Sequence, residues 1–211
     1  MNTPAWIAFG AAGLFAVLDW LAIARGARRG EYLAKPATLV ALTGAALLID
    51  PSDQAQRAWF AVALVFSLAG DVFLMLPSDR FVPGLACFLV GHLAYIVGLN
   101  VDGGSAGALA LSAAGLAFVA VPLGRRIVRG AVAHDRRLGA PVTLYIVAIS
   151  GMVASAIATG APWAIAGASL FYGSDAFIGW SRFVGAFPGY RLAIIVTYHV
   201  GQAALVASLV A

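Results

Sequence analysis

The chain has 211 residues, 62% of them hydrophobic and only 10% charged, and its mean hydropathy is +0.94. A chain this apolar cannot hide its surface from water in one globule, which excludes a soluble domain. The formal charge of +4 and the pI near 9.6 call for no nucleic acid, because basic residues of membrane chains gather in loops on one side of the bilayer.

Apolar runs close to the roughly 20 residues that cross a bilayer recur along the whole sequence. They predict an all-α integral membrane protein, one transmembrane domain over residues 1–211 built as a bundle of eight transmembrane helices. In chain order the spans are 4–24, 34–49, 58–76, 81–99, 104–123, 139–159, 162–181 and 190–210. The opening "MNTPAWIAFG" has no basic n-region, so it reads as the start of the first span and not as a cleaved signal. Near the end of that span, Asp19 has an ordinary use in reaching the interface or pairing with an arginine. The second span is short. The third carries Asp71 inside "AGDVFLMLP", with no other charge from Trp59 to Leu76. The fourth holds His92 in "GHLAYI" and Cys87, the single cysteine, which excludes an internal disulfide. The seventh places Asp175 beside Ser174, and the eighth carries His199 and Gln202 in "TYHVGQ". Glycines within spans suit close helix contacts, with Gly84 and Gly91, and Gly103 and Gly107, as examples.

Charge tests this count. Arg25, Arg28, Arg29, Lys35, Arg80, Arg125, Arg126, Arg129, Arg136, Arg137, Arg182 and Arg191 all fall after helices 1, 3, 5 and 7, and only Arg57 falls on the other side. Basic residues stay in the cytoplasm, so both termini are expected on the non-cytoplasmic side, in a bacterial inner membrane. The same loops meet anionic lipid head groups.

Asp19, Asp71, His92, Asp175 and His199 remain as ionisable groups inside spans. A carboxylate at mid-membrane costs about 2.5 to 3.5 kcal/mol, so such groups face a protein interior or a water-filled cavity and are functional candidates. With about 1.5 Å of rise per residue, the three aspartates lie roughly 7 to 9 Å below the cytoplasmic boundary. That is the depth of a phospholipid's glycerol and first chain atoms. Lys35, Arg80 and Arg182 stand above to meet a phosphate. Tyr145 and Tyr198 are donors to a carboxylate or a substrate oxygen if they face the cavity. His92 with Tyr95 suits an interhelical hydrogen bond as well as a catalytic pair, and Ser174 and Asp175 need a neighbouring helix to satisfy them.

At these residues the sequence resembles the YhhN-like membrane proteins, which include lysoplasmalogenases. The resemblance rests on "KP" at Lys35 and Pro36, "SLAGDVFLML" around Asp71, "FVPGLACFLVGHLAYI" around His92 and Tyr95, "PVTLYIVAISGM" around Tyr145, "GASLFYGSDAFIG" around Ser174 and Asp175, and "YHVGQ" ending at Gln202. It runs from about Lys35 to the C-terminus. Asp19 matches no motif of that family, and His199 stands where the family often has an aromatic such as Tyr.

The resemblance implies hydrolysis of the sn-1 vinyl ether of a lysoplasmalogen, a lysophospholipid drawn from the membrane, to a fatty aldehyde and glycerophosphoethanolamine or glycerophosphocholine. An acid protonates the carbon β to oxygen, water captures the oxocarbenium ion, and the hemiacetal collapses. Asp71 and Asp175 divide the roles of proton donor and cation stabiliser or water activator, sharing one proton because burial and repulsion disfavour a second charge. His92, Tyr95, Tyr145, Ser174 and Tyr198 orient water or the leaving oxygen, Gln202 bonds the ether region, and Lys35 meets the phosphate. No cofactor is required, although two histidines with aspartates are also a zinc-type donor set. A bis-histidine haem site lacks suitable partners. The same aspartates suit a proton-coupled transporter, which stays open as the alternative.

Overall fold

Buried in lipid, a backbone must satisfy its own polar groups, and helices do so within a single segment. The computed structural model describes residues 2–78 and 80–210. Among these the chain forms eight α-helices and no strand: α1 (Thr3–Ala24), α2 (Arg28–Leu48), α3 (Gln54–Met75), α4 (Phe81–Leu99), α5 (Ala106–His134), α6 (Gly139–Thr159), α7 (Pro162–Phe183) and α8 (Tyr190–Ala207). Short 3-10 turns, Arg136–Leu138 and Ser208–Val210, precede α6 and follow α8. Asn2, Asp53 and Ser105 cap α1, α3 and α5 by accepting the N–H of Ala5, Gln56 and Ala108, satisfying donors that the first turn leaves free. Gly26 turns the chain between α1 and α2 at φ +67°, and Gly160 ends α6 at φ +70°, both in the left-handed region that glycine enters without a Cβ penalty.

Among the described residues six helices are long and apolar enough to cross a membrane by length and composition; α2 and α7 are not among them. Three elements outrun the sequence expectation by four residues or more, α3 among them with its start at Gln54 instead of residue 58. Helix α2 starts at Arg28 instead of residue 34, and α5 continues to His134 instead of stopping at 123. Hydropathy marks where lipid ends, whereas Arg, Glu and Lys propagate a helix well past that point. Arg125, Arg126 and Arg129 are therefore helical, not loop, residues.

Helices α1, α2, α3, α4, α6, α7 and α8 pack each against the next, and α8 returns to α1, closing a ring. Helix α5 lies outside it against α6 and α7. One end of the bundle gathers the ends of α3 and α7 with the starts of α2, α4 and α8, as the Arg191–Glu31 ion pair at 2.6 Å shows. The opposite end joins Asn2 to the Leu48 carbonyl and the Ser52 amide to the Leu209 carbonyl. The first end holds most of the arginines and is called the basic end below. Aromatic and aliphatic side chains fill the ring: Phe60, Tyr95, Met152, Phe171 and Leu205 are fully buried. The outside is apolar, with Leu33, Leu111 and Phe118 more than three-quarters exposed, the inverted pattern of a chain solvated by lipid. The protein is an integral membrane protein.

Small residues let helices touch. A Cβ at Gly84 would meet Leu74, and one at Gly91 would lie 3.2 Å from the Ala63 carbonyl, so this pair serves the α3–α4 contact. Gly103 does not pack as expected: it sits in a turn at φ +70° with nothing within 4 Å. Helices α7 and α8 approach closely backbone to backbone, where a Cβ on Gly167 would stand 2.7 Å from the Leu205 amide and 2.8 Å from the Gly201 carbonyl. Backbone atoms cannot step aside, so Gly167→Ala is expected to cost about 1 to 3 kcal/mol, measured as unfolding in detergent. An unchanged stability would mean that α7 and α8 are not held this closely.

Candidate active site

Three groups of polar side chains link helices in the bundle interior. In the first, α2, α3 and α8 bring Lys35, Asp71 and Tyr198 together. Lys35 Nζ lies 2.8 Å from Asp71 Oδ1, and the Tyr198 hydroxyl donates to Asp71 Oδ2 at 2.8 Å. Asp71 is 1% exposed. Its charge is thus matched by a lysine and a phenol, the pairing that a buried carboxylate requires. Lys35, expected to meet a lipid phosphate, has its ammonium in an ion pair with Asp71.

The second group comes from α4, α6 and α7. The Tyr145 hydroxyl donates to Asp175 Oδ2 at 2.5 Å, and His92 Nε2 lies 3.0 Å from the Tyr145 oxygen and 3.1 Å from Asp175 Oδ2. When Nε2 carries the proton it donates to the carboxylate, leaving His92 Nδ1 as an acceptor with no partner among the described residues. The two carboxyls therefore do not share a hydrogen bond. Phe88 and Phe171 lie between the groups: Phe171 is 4.8 Å from the His92 ring and 5.2 Å from the Tyr198 ring, centroid to centroid, and Phe88 is 6.0 Å from Tyr198.

The third group lies deeper, where the Tyr95 hydroxyl donates to Gln202 Oε1 at 2.5 Å, beneath the edge of Phe60. Tyr95 and His92 share a helix and are both buried, yet they bond to different helices rather than to each other. Ser174 is buried too, but its hydroxyl donates to the Ile194 carbonyl at 3.0 Å and ties α7 to α8. Arg80 Nε donates to Ser78 Oγ at 3.3 Å, and the Arg182 guanidinium lies 4.2 Å from the Phe81 ring centroid.

Asp175 and Tyr145 also reach an apolar slot that the sequence did not announce. Five helices line it, with Leu74 from α3, Phe81, Leu85 and Phe88 from α4, Leu123 and Ile127 from α5, Val142 and Ile149 from α6, and Ile178 and Phe183 from α7. Asp175 is the one carboxylate in its wall among the described residues. Single apolar residues on five separate helices carry no common sequence signal.

Asp19 departs from its expected place at the interface. It is completely buried, and among the described residues neither carboxylate oxygen has a partner, an arginine included. His199 accepts a hydrogen bond from Trp20 Nε1 at 3.2 Å through Nδ1, and its Nε2 has no partner among the described residues. An unpartnered buried acid costs stability, so Asp19→Asn is expected to stabilise the protein by about 1 kcal/mol or more. A loss of stability in the same unfolding assay would show that the carboxylate is held by a partner. Among the described residues no group of three or more His, Cys, Asp or Glu side chains is arranged to hold a metal ion.

Residues 30–209 match the model of the YhhN family. The chain is 34% identical over 153 residues to a lysoplasmalogenase of Mycobacterium bovis and, equally, to one of Mycobacterium tuberculosis, covering 70% of this chain. It is 32% identical over 142 residues to lysoplasmalogenase TMEM86B of Homo sapiens, covering 66% of this chain. In each comparison the chain spans 58% of the relative's own length. No solved structure matches.

Proposed function

This chain belongs to the YhhN family, and from that premise we propose that it hydrolyses the vinyl ether of a lysoplasmalogen, releasing a fatty aldehyde and a glycerophospho-ethanolamine or -choline. The observation that carries the reading is the placement of Asp175. It is an acid held by Tyr145 and His92 at the wall of an apolar slot, where a chain-bound carbon would have to be protonated.

The steps follow from the groups present. The acyl-like chain lies in the slot with its vinyl carbon against Asp175, which gives up a proton and leaves an oxocarbenium ion at the carbon bonded to oxygen. The Asp71 carboxylate, held in its ion pair by Lys35, favours that cation through a low-dielectric interior. Water adds to the cation, and His92 Nδ1 is the acceptor available for the proton it loses. The hemiacetal then breaks its bond to the glycerol oxygen, which departs as the alcohol with the proton that the hemiacetal hydroxyl gives up, and the proton held by His92 passes through Nε2 to Asp175 and restores the acid. Tyr145 holds Asp175 for the transfer, and Tyr198 holds Asp71. Tyr95 and Gln202 close the inner end of the site.

The same reading takes all eight helices across the membrane, with the basic end in the cytoplasm. Helices α2 and α7 fall short in hydropathy because they carry the site's own charges, Lys35 and Asp175, along with terminal arginines. A proton-coupled transporter would use the same aspartates, but a through-path needs polar groups along its length. Among the described residues, every buried acid and base lies at the basic end or near mid-bundle.

The test is aldehyde release by purified protein in detergent, offered a vinyl-ether lysolipid, its saturated ether and an ordinary ester lysolipid. Aldehyde from the vinyl ether alone is the expected result. No aldehyde from folded protein, or equal cleavage of the ester, would overturn the reading.

A further inference from the structure

At the basic end, α2, α3 and α8 stand around a polar crevice lined by Arg28, Glu31 and Tyr32, by Tyr190 and Arg191, and by the end of α3 from Leu74. Its position is set by helix register. Lys35 follows Glu31 by four residues, Asp71 precedes Met75 by four, and Tyr198 follows Arg191 by seven, so each shares a helix face with a crevice residue, one or two turns deeper. The crevice therefore stands over the Lys35, Asp71 and Tyr198 group. Leu74 lines both this crevice and the apolar slot, which makes the two neighbours across one side chain.

The mixture of charges in the crevice is informative. A site for a phosphate alone would gather cations, yet here a carboxylate lies between the arginines. Arg191 Nη2 meets Glu31 Oε2 at 2.6 Å, with the Arg191 side chain 45% exposed and that of Glu31 15%. That contact uses one of five guanidinium N–H groups and one of two carboxylate oxygens. Arg28 is exposed and makes no ion pair among the described residues. Tyr32 and Tyr190 add two rings, surfaces that attract an ammonium group.

We propose that this crevice binds the zwitterionic head group of a lysolipid. The phosphate lies on Arg28 and Arg191, and the choline or ethanolamine cation lies on Glu31 and the rings of Tyr32 and Tyr190. The Arg191–Glu31 pair is itself a dipole, and a phosphate–ammonium head group lies against it in the opposite sense, each charge facing its complement. A head group ending at phosphate leaves Glu31 facing an anion, and a neutral glycerol head leaves all three charges unmatched. This assignment rests on the lysolipid hydrolase reading. It adds an order to the site, with the head group in the crevice, the ether at the aspartates and the chain past Leu74 in the slot.

The experiment measures binding to the full chain in detergent, using ligands that cannot be cleaved. They are a saturated alkyl-ether lysophosphocholine, the same lipid ending at its phosphate, and the same alkylglycerol with no phosphate. The phosphocholine lipid is expected to bind about tenfold tighter than either of the others. Arg28→Gln should weaken both phosphate-bearing lipids by roughly three- to tenfold and leave the alkylglycerol unchanged. Glu31→Gln should weaken the phosphocholine lipid by a similar factor while the phosphate-ended lipid binds as well or better. Free glycerophosphocholine should compete, and inorganic phosphate at equal concentration should not.

Equal affinity of the wild-type protein for all three lipids, or tighter binding of the phosphate-ended one, would overturn the proposal. So would equal loss for both phosphate lipids in Glu31→Gln, or displacement by inorganic phosphate alone, which would mark a simple anion site. Head-group discrimination without aldehyde release would sink the hydrolase reading and leave the crevice assigned. Aldehyde release without discrimination would do the reverse.

Discussion

Asp175→Asn is expected to lower aldehyde release by about a hundredfold to ten-thousandfold, the contribution of a positioned general acid, while the protein still folds. Asn is close in shape, and its carbonyl oxygen can accept the Tyr145 hydroxyl as Asp175 does, so the local hydrogen bonding survives while the transferable proton is lost. Elution as a single species and an unchanged melting point would show that the loss is chemical. Binding of a saturated ether lysolipid should be nearly unaffected, because the slot is walled by apolar side chains. If the variant keeps more than a tenth of wild-type turnover, Asp175 is not the proton donor. Tyr145→Phe removes only the group that holds the acid, and a smaller loss, about tenfold, is expected from it.

Lys35→Met gives the largest expected effect on stability. The lysine is the cation paired with an aspartate that is 1% exposed, and removing one partner of a buried pair costs about 3 to 5 kcal/mol because the other charge is left behind. The double variant Lys35→Met with Asp71→Asn removes both charges and should recover most of that loss without recovering turnover. Unfolding in detergent measures both. The alternative placement of Lys35 against a lipid phosphate gives a different signature, a raised KM at unchanged stability. Seeing that signature would remove the ion pair from the account.

How much of this was legible beforehand depends on what each residue type reveals by itself. Asp71 and Asp175 stand out in the sequence because a charge inside an apolar run has a cost that lipid cannot offset. Their partners do not stand out. Tyr145 and Tyr198 are ordinary within a span, and periodicity gives the face of one helix, His92 included, but not which other helix that face meets. The ion pair of Lys35 is hidden for a definite reason. The apolar run begins near residue 34, so the lysine reads as the entrance to a helix, but α2 starts at Arg28 and carries Lys35 two turns inward, within reach of Asp71. Asp19 reads as an interfacial acid because it lies near the end of its span, and packing of α1 against α2 and α8 buries it instead. The helix count was readable from the spacing of apolar runs and from the one-sided distribution of arginine. The slot was not, since it exists only where five helices meet.

Helix α5 stands outside the ring yet supplies Leu123 and Ile127 to the slot, so under the proposed reaction an outer helix stands between the lipid chain in the slot and the surrounding bilayer. A substrate that arrives sideways is counted per area of bilayer and not per litre of water. Its turnover would then follow the mole fraction of substrate in a micelle or vesicle, falling as inert lipid is added at constant total concentration. The two products would also part company at birth, the aldehyde staying in the membrane plane and the glycerophosphate head escaping to water, so that neither accumulates where the other is released.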